Sequence, residues 1–512
     1  MNKNVLMFGA ALALMAFDAN AVVTASGTDG SVSWSVEDGV LTISGSGNMK
    51  DYEKKSDGTG SKAPWYEYKD QITSVNVTGI TTIGKRAFRG LENVQSINIG
   101  SSVTTIKDTA FEGNSSLTSV SIPDTVTSLG QWVFKENTSL KTVEIGSGVT
   151  QINTEDFYGA TSLTSLTIGS NVTSIGNSAF YGATSLETLV IPDNVTSLGE
   201  GAFKNASSLQ YLTIGEGLTE ISVHAFENAT SLEKLKIPES VTKIQEGAFS
   251  RAESLTTIDF GGVTEIGNKS FAYNYGLKEL VIPDTVTKIG GSTFKDATSL
   301  TTLVIGNGVT ELGQEAFTGT TALTSLTIGK NLASFGSKCF NGAPITELTI
   351  DPESTHLDAI VGFFKKRSPA ITKINCIGAD RSACDAAMAA AGWDISGIAG
   401  DGNVIMPAAA SLTAADVQPP VQQEPTTEEP QGGQGGSDEE DDTQEAGDAD
   451  DEGGNDEPLE TPGDQVSAEP EIVTNPLAGF NRNAPRFSNK IYTVNEANLA
   501  AGRKNRVMIR YR

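Results

Sequence analysis

Histidine is nearly absent from this chain of 512 residues, which holds only His224 and His356, and cysteine is scarce, with Cys339, Cys376 and Cys384. No His/Cys cluster has metal-ligand spacing, so no metal site is assigned. No GxSxG elbow, phosphate loop or dinucleotide fingerprint stands in a strand–turn–helix context. No catalytic residue and no cofactor are therefore assigned. Lys and Arg are missing from residues 382–481, which hold 23 acidic side chains. Residues 1–381 carry 28 basic and 39 acidic groups, and residues 482–512 carry 8 and 1, so the net charge is −27. That balance argues against nucleic acid as a partner. No apolar run reaches the roughly 20 residues that span a membrane.

What is abundant is one repeated phrase. A phenylalanine falls at Phe88, Phe111, Phe134, Phe157, Phe180, Phe203, Phe226, Phe249, Phe271, Phe294, Phe317 and Phe340. Each step is 23 residues except Phe249 to Phe271, which is 22. A fixed period of this size means a solenoid. In Leu163-x-x-Leu166-x-Ile168, Leu166 and Ile168 share one side of an extended strand, and Ser165 and Thr167 share the other. Gly169-Ser170-Asn171 ends the strand. Val172, Ile175, Ala179 and Phe180 form a second apolar set that brings the chain back. One coil cannot bury its apolar edge, but stacked coils bury it against their equivalents. The fold expected is mostly β with short helical or irregular segments, a leucine-rich-repeat solenoid of about twelve 23-residue repeats. At about 4.8 Å per strand its sheet is roughly 55–60 Å long. The short step before Phe271 falls in the turn Gly261-Gly262, which leaves both registers intact.

The string Ile282-Pro283-Asp284-Thr285-Val286-Thr287-Lys288-Ile289-Gly290, followed by Thr293-Phe294, closely resembles the BspA-like leucine-rich-repeat family. The resemblance covers roughly residues 72–350. It implies a secreted or surface-exposed protein, several members acting as adhesins for host matrix proteins or other cells.

Around the repeats the chain divides into further segments. Residues 1–21 read as a secretory signal peptide, with Lys3, an apolar stretch from Val5 to Phe17, and a cleavage site at Ala19-Asn20-Ala21. Residues 22–71 read as a β-hairpin cap turning at Glu37-Asp38-Gly39. Its Trp34, Trp65 and Tyr66 either cover the raw end of the stack or form sugar-stacking platforms. Residues 72–350 are the solenoid. Residues 351–406 are a degenerate repeat, with Phe363 on the 23-residue clock, and a C-terminal cap whose helix includes Asp385 to Ala391. Cys376 and Cys384 are disulfide candidates in an exported protein, and Cys339 reads as a buried small hydrophobe. Residues 407–480 read as a disordered acidic spacer. Residues 481–512 form a basic C-terminal element, read as a sorting or envelope-attachment signal, the alternatives being a segment that pairs with the acidic spacer or a frayed tail.

The strand positions facing away from the core are the expected binding surface, and 13 of the 24 are Ser or Thr. Thr suits any exposed pleated surface, but the same composition suits a face for glycans or backbone. The least uniform patch is Tyr211, Lys234, Lys236 and Asp259 on three adjacent coils, an aromatic beside two cations. The function expected is non-enzymatic binding of a protein ligand, from host matrix or a cell surface. Alternatives are a glycan-binding or cell-envelope scaffold protein, or an enzyme with a carboxylate pair within 351–400.

Overall fold

The computed structural model describes residues 23–58, 60–365 and 371–420. The signal-peptide segment, Lys366 and Arg367, the acidic stretch from 421 to 480 and the basic C-terminal element lie outside the described residues.

Among the described residues the chain winds into a stack of coils, most of which contribute two strand segments. The longer one forms a parallel column that runs from Ser74–Val77 through Ser119–Ile122 and Tyr211–Ile214 to Lys373–Cys376. Pairing keeps the repeat register, as in Thr142↔Ser165 and Glu279↔Thr302. A second column of short strands, such as Ser174–Ile175 and Ser197–Leu198, pairs in the same sense. A third ladder runs through the turn around the phenylalanine, where Phe134 N–H donates to Asp156 O at 2.8 Å and Phe180 N–H to Ala202 O at 2.8 Å. Each coil thus satisfies its backbone on its neighbours.

The side chains follow. From Phe88 to Phe340 successive rings lie 5.1–5.8 Å apart with interplanar angles of 2–12°. The coil spacing forces these rings into an offset stack, a favourable arrangement for their quadrupoles. Phe260 fills the short-turn coil and meets Phe271 edge-on at 5.9 Å.

The twelve-coil ladder is closed at each end by a different device. At the N-terminal end, antiparallel strands Val23–Asp29, Val32–Glu37 and Val40–Gly45 precede the stack. Trp65 is fully buried, stacks on Phe88 at 5.8 Å and donates its indole N–H to Ala87 O at 2.9 Å. Trp34 and Tyr66 are buried beside it. At the other end, helix α1 (Leu357–Phe364) replaces the usual return segment. Phe363 keeps the 23-residue spacing but not the ladder position. It stacks on Phe335 at 4.2 Å and meets Phe340 only at 6.2 Å and 64°. A helix rises 1.5 Å per residue against about 3.3 Å for a strand, so equal counts no longer bring equal places together. Helix α2 (Arg381–Ala390) is N-capped by Asp380, whose carboxylate accepts Ala383 N–H at 2.8 Å. Cys376 and Cys384 are bonded, which joins the last strand to α2. Cys339 is buried beside Phe340.

Two local features depart from the consensus. Two residues before each ladder phenylalanine the backbone is left-handed, with φ of 51–58° at Arg86, Thr109, Trp132, Glu155, Ser178, His224, Lys269, Ser292, Glu315 and Lys338. Each costs about 1–2 kcal/mol, which, except at Lys338 in the last ladder coil, an inter-coil bond of the same residue offsets, as when Ser178 N–H donates to Glu200 O at 2.8 Å. The second departure is Asp156, fully buried where most other coils hold Ala and the rest Val133, Ser270, Thr293 or Cys339. Its carboxylate accepts Asn153 N–H at 2.7 Å and Val133 N–H at 3.2 Å. Asn153 itself stands at a glycine position; a Cβ on its equivalent Gly176 would lie 2.6 Å from the Asn153 carbonyl carbon. The Asn153 side chain donates to Leu129 O at 2.5 Å, replacing the bond that Gly176 N–H makes to Ile152 O. The two exceptional residues thus compensate one another. Burial pushes the Asp156 carboxyl up to about 7, against the pull of its N–H donors.

Candidate functional site

The alternation of each long strand sends one set of side chains into the core and the other onto an outer face. Along that face, the position between the two core residues of each strand falls in a straight column. Asn76 at its start is half-buried, and the next five members, Asn98, Ser121, Glu144, Thr167 and Val190, are exposed. From Thr213 onward the column is covered. Thr213, Lys236, Asp259 and Val281 are half-buried, and Val304, Thr327, Thr349 and Asn375 are buried. The covering element is the chain's own segment after the C-terminal cap.

That segment is anchored at both ends. At its start Val404 pairs with Ile377, with Val404 N–H donating to Cys376 O at 3.0 Å. At its far end Leu412 N–H donates to Asp259 Oδ2 at 2.9 Å. A 3-10 turn, Ala414–Val417, then packs on strands Tyr211–Ile214 and Lys234–Lys236. Between the anchors Val404, Met406, Ala410 and Leu412 are half-buried while Ile405, Pro407, Ala409 and Ser411 are exposed, an alternation interrupted at Ala408, which is also exposed. This is the period of an extended chain lying with one edge against a surface. The 13 steps from Val404 to Val417 reach roughly 40 Å, enough to cross the seven strand spacings from Lys373–Cys376 to Tyr211–Ile214, roughly 34 Å. Residues 407–420, expected within an unstructured spacer, are therefore an ordered strap. Its small and apolar residues find a surface to cover, which composition alone does not show.

The structure brings Tyr211, Lys234, Lys236 and Asp259 together where the strap ends. They are half-buried beneath it, not an open patch as the repeat pattern implied. Lys236 Nζ pairs with Asp259 Oδ2 at 3.2 Å. Asp259 Oδ1 accepts Gly261 N–H at 3.2 Å, so both its oxygens are engaged. Lys234 Nζ meets Asp416 Oδ1 at 3.4 Å. Asp416 Oδ2 accepts both the hydroxyl and the N–H of Thr413, at 2.7 and 2.8 Å. These bonds, with Lys234 behind them, hold the Asp416 carboxyl below the usual carboxylate range. Val417 is 4% exposed. Its burial is worth about 1.5–3 kcal/mol, whereas the solvent-accessible Lys234–Asp416 ion pair adds little. The valine holds the turn down, and the charges select its orientation.

A second feature lies off the strand face. Lys54, Arg86, Arg89, Thr109, Glu112, Trp132 and Lys135 line a shallow cleft of about 280 Å³. Arg89 forks onto Glu112 at 2.8 and 3.0 Å, and Lys135 pairs with Glu155 at 2.5 Å. Trp132 is one of the few exposed large apolar side chains among the described residues. The repeat register places this cleft: Arg86, Thr109 and Trp132 precede successive ladder phenylalanines by two, and Arg89, Glu112 and Lys135 follow them by one. Reading those columns as closely as the strand columns finds it. Among the described residues no His, Cys, Asp and Glu cluster is arranged to hold a metal ion, and no helix is long and apolar enough to cross a membrane.

The model for the BspA type leucine-rich repeat region matches in six copies over residues 63–187, 173–301 and 288–368. Solved structures with similarity include a leucine rich cell surface protein from Faecalibacterium prausnitzii A2-165, at 27% identity and a TM-score of 0.37, covering 59% of this chain and 94% of that one. A leucine-rich repeat protein from Bacteroides ovatus matches at 18% identity and a TM-score of 0.47, covering 73% of this chain and 99% of that one. No curated protein matches significantly.

Proposed function

This chain belongs to the BspA-type leucine-rich-repeat family, and from that premise we propose that it is an exported, surface-displayed protein whose strand face binds a protein ligand, serving adhesion to host matrix or to other cells. Leucine-rich-repeat proteins generally bind proteins, and their solenoid is generally non-enzymatic. The observation that carries the reading is that the strand face already accepts polypeptide: residues 404–417 lie along it, held by a backbone donor, an ion pair and a buried valine. The half from Asn98 to Val190 is open to an external chain. Export is supported by the signal-like pattern of residues 1–21 and by the Cys376–Cys384 bond, which persists in oxidising compartments. The basic element 481–512 is the proposed envelope attachment.

The test coats beads with the full chain and measures capture on purified extracellular-matrix proteins and on host cells. A second form carries Ser121→Lys, Glu144→Lys and Thr167→Lys on the open half. We expect saturable capture by the native chain and loss of it in the variant, with the circular dichroism spectrum unchanged. Capture that ignores the variant refutes the strand face as the site. A second reading, glycan binding, is favoured by the Trp132 indole at the edge of the basic cleft, since sugars stack on exposed aromatic faces. It expects competition by free sugars and sensitivity to Trp132→Ala.

A further inference from the structure

We propose that the strap is a resident pseudo-ligand: the strand face from Thr213 to Asn375 is a groove for an extended peptide ending in an acidic turn, and a partner presenting that chemistry displaces residues 404–417 to bind. This rests on the reading of the strand face as a protein-binding surface and names the class of partner and the gate on it.

The geometry defines what the groove reads. The peptide runs across the strands, so strand pairing is not its mode of recognition. Alternate side chains face the surface, and where they do the strap uses small or apolar groups. At the terminus the surface offers three distinct features: the Asp259 carboxylate for a peptide N–H, the Lys234 ammonium for a carboxylate, and an apolar seat for a β-branched side chain. In the strap these are met by Leu412, Asp416 and Val417. The Thr413–Asp416 bonds preform the turn, which lowers the ordering cost of docking. A matching partner segment reads Leu-Thr-x-x-Asp-Val, preceded by an extended run of small residues.

The strap is held lightly enough to leave. At its far end it has one backbone donor, one solvent-accessible ion pair and one buried valine, and most residues from Pro407 to Ala415 are exposed. The C-terminal cap does not depend on it, because the last strand is already covered by residues 399–403 and tied to α2 by the disulfide. Tethering gives the strap an effective concentration of ~1 mM. Against it, a free peptide with an intrinsic Kd of ~50 µM binds roughly 20-fold more weakly than it does to a vacated groove.

The test uses the full chain and a fluorescent synthetic peptide of residues 404–419. Strap docking is disabled in two ways: Leu412→Pro removes the donor to Asp259, and the pair Asp416→Lys with Val417→Asp removes the charge match and the buried side chain. Both changes lie outside the repeat core. We expect the peptide to bind either variant at least tenfold more tightly than the native chain. Adding Lys234→Glu to the Leu412→Pro variant weakens that binding, and a peptide carrying Asp416→Lys restores it. Hydrogen exchange at the Leu412 amide rises in the double variant. If neither variant binds the peptide while both keep the native circular dichroism spectrum, the strap is a fixed structural cover and the proposal fails. If the peptide binds native chain and variants equally, there is no gate and the proposal fails. Neither result depends on a matrix ligand, so failure of the adhesion assay is separable from failure here.

Discussion

Replacing Asp156 with Asn should flatten the pH dependence of stability. The carboxyl is fully buried between coils and titrates at about 7, against 3.8 for the ordinary group. A folded-state pKa raised above the unfolded value favours the folded state while the group is protonated. That contribution is complete below about pH 3.8 and is lost progressively as the pH rises to about 7. At about 1.4 kcal/mol per unit the full loss is about 4 kcal/mol. Between about pH 5.5 and 7.5, which stays clear of the isoelectric region near 4.5, the unfolded carboxyl is ionised throughout and the folded one crosses its midpoint. The loss within that window is about 2 kcal/mol. Asparagine keeps one acceptor for Asn153 or Val133 N–H and leaves the other facing an amide, a pH-independent cost of about 1–3 kcal/mol. The assay is urea unfolding followed by circular dichroism at both pH values, with hydrogen exchange of the Phe134 and Phe157 amides as a local readout, since long repeat arrays need not unfold in one step. The native chain should lose about 2 kcal/mol relative to the variant on going from the lower to the higher pH. Parallel stability curves for the two chains would refute a buried carboxyl that charges at neutral pH.

Phe203→Ala removes one ring from the middle of the ladder, between partners at 5.1 and 5.8 Å. It should cost about 3–5 kcal/mol, read as a lowered urea midpoint, and exchange should rise first in the two adjoining coils. Trp65→Phe keeps the ring over Phe88 but loses the indole donor to Ala87 O. It should destabilise by about 1–3 kcal/mol, confined to exchange in the N-terminal strands. Cys376→Ser opens a bond that spans 8 residues and should cost about 2.5 kcal/mol in the chain-entropy account. Limited proteolysis should then cut near α2 while the central coils resist.

Much of the fold was legible because the repeat is redundant. Phe180 at one position is an apolar residue like any other, but twelve phenylalanines in register leave one way to stack them. The strand alternation, the turn at Gly261-Gly262 and the burial of Cys339 follow from that register. The site was half legible. The 23-residue period brought Tyr211, Lys234, Lys236 and Asp259 onto neighbouring strands, as counting implies. It could not show that they lie under residues 412–417, because the Lys234–Asp416 contact joins positions 182 apart and Ala-Ala-Ala-Ser-Leu-Thr-Ala-Ala carries no period of its own. The basic cleft beside Trp132 was available from the same register and was missed by attending to the strand face alone.

The sequence by itself therefore determined the solenoid, its period, its apolar ladder and which side chains face outward, since each follows from spacing along a regular path. Tertiary structure decided what spacing cannot carry. A left-handed backbone at residues as unlike as Trp132, Ser178 and Glu315 is set by their place in the coil and not by the residue type. Phe363 left the ladder because a helix advances less per residue than a strand. The strap took its place on the outer face because folding brought a distant apolar edge to a surface able to bury it.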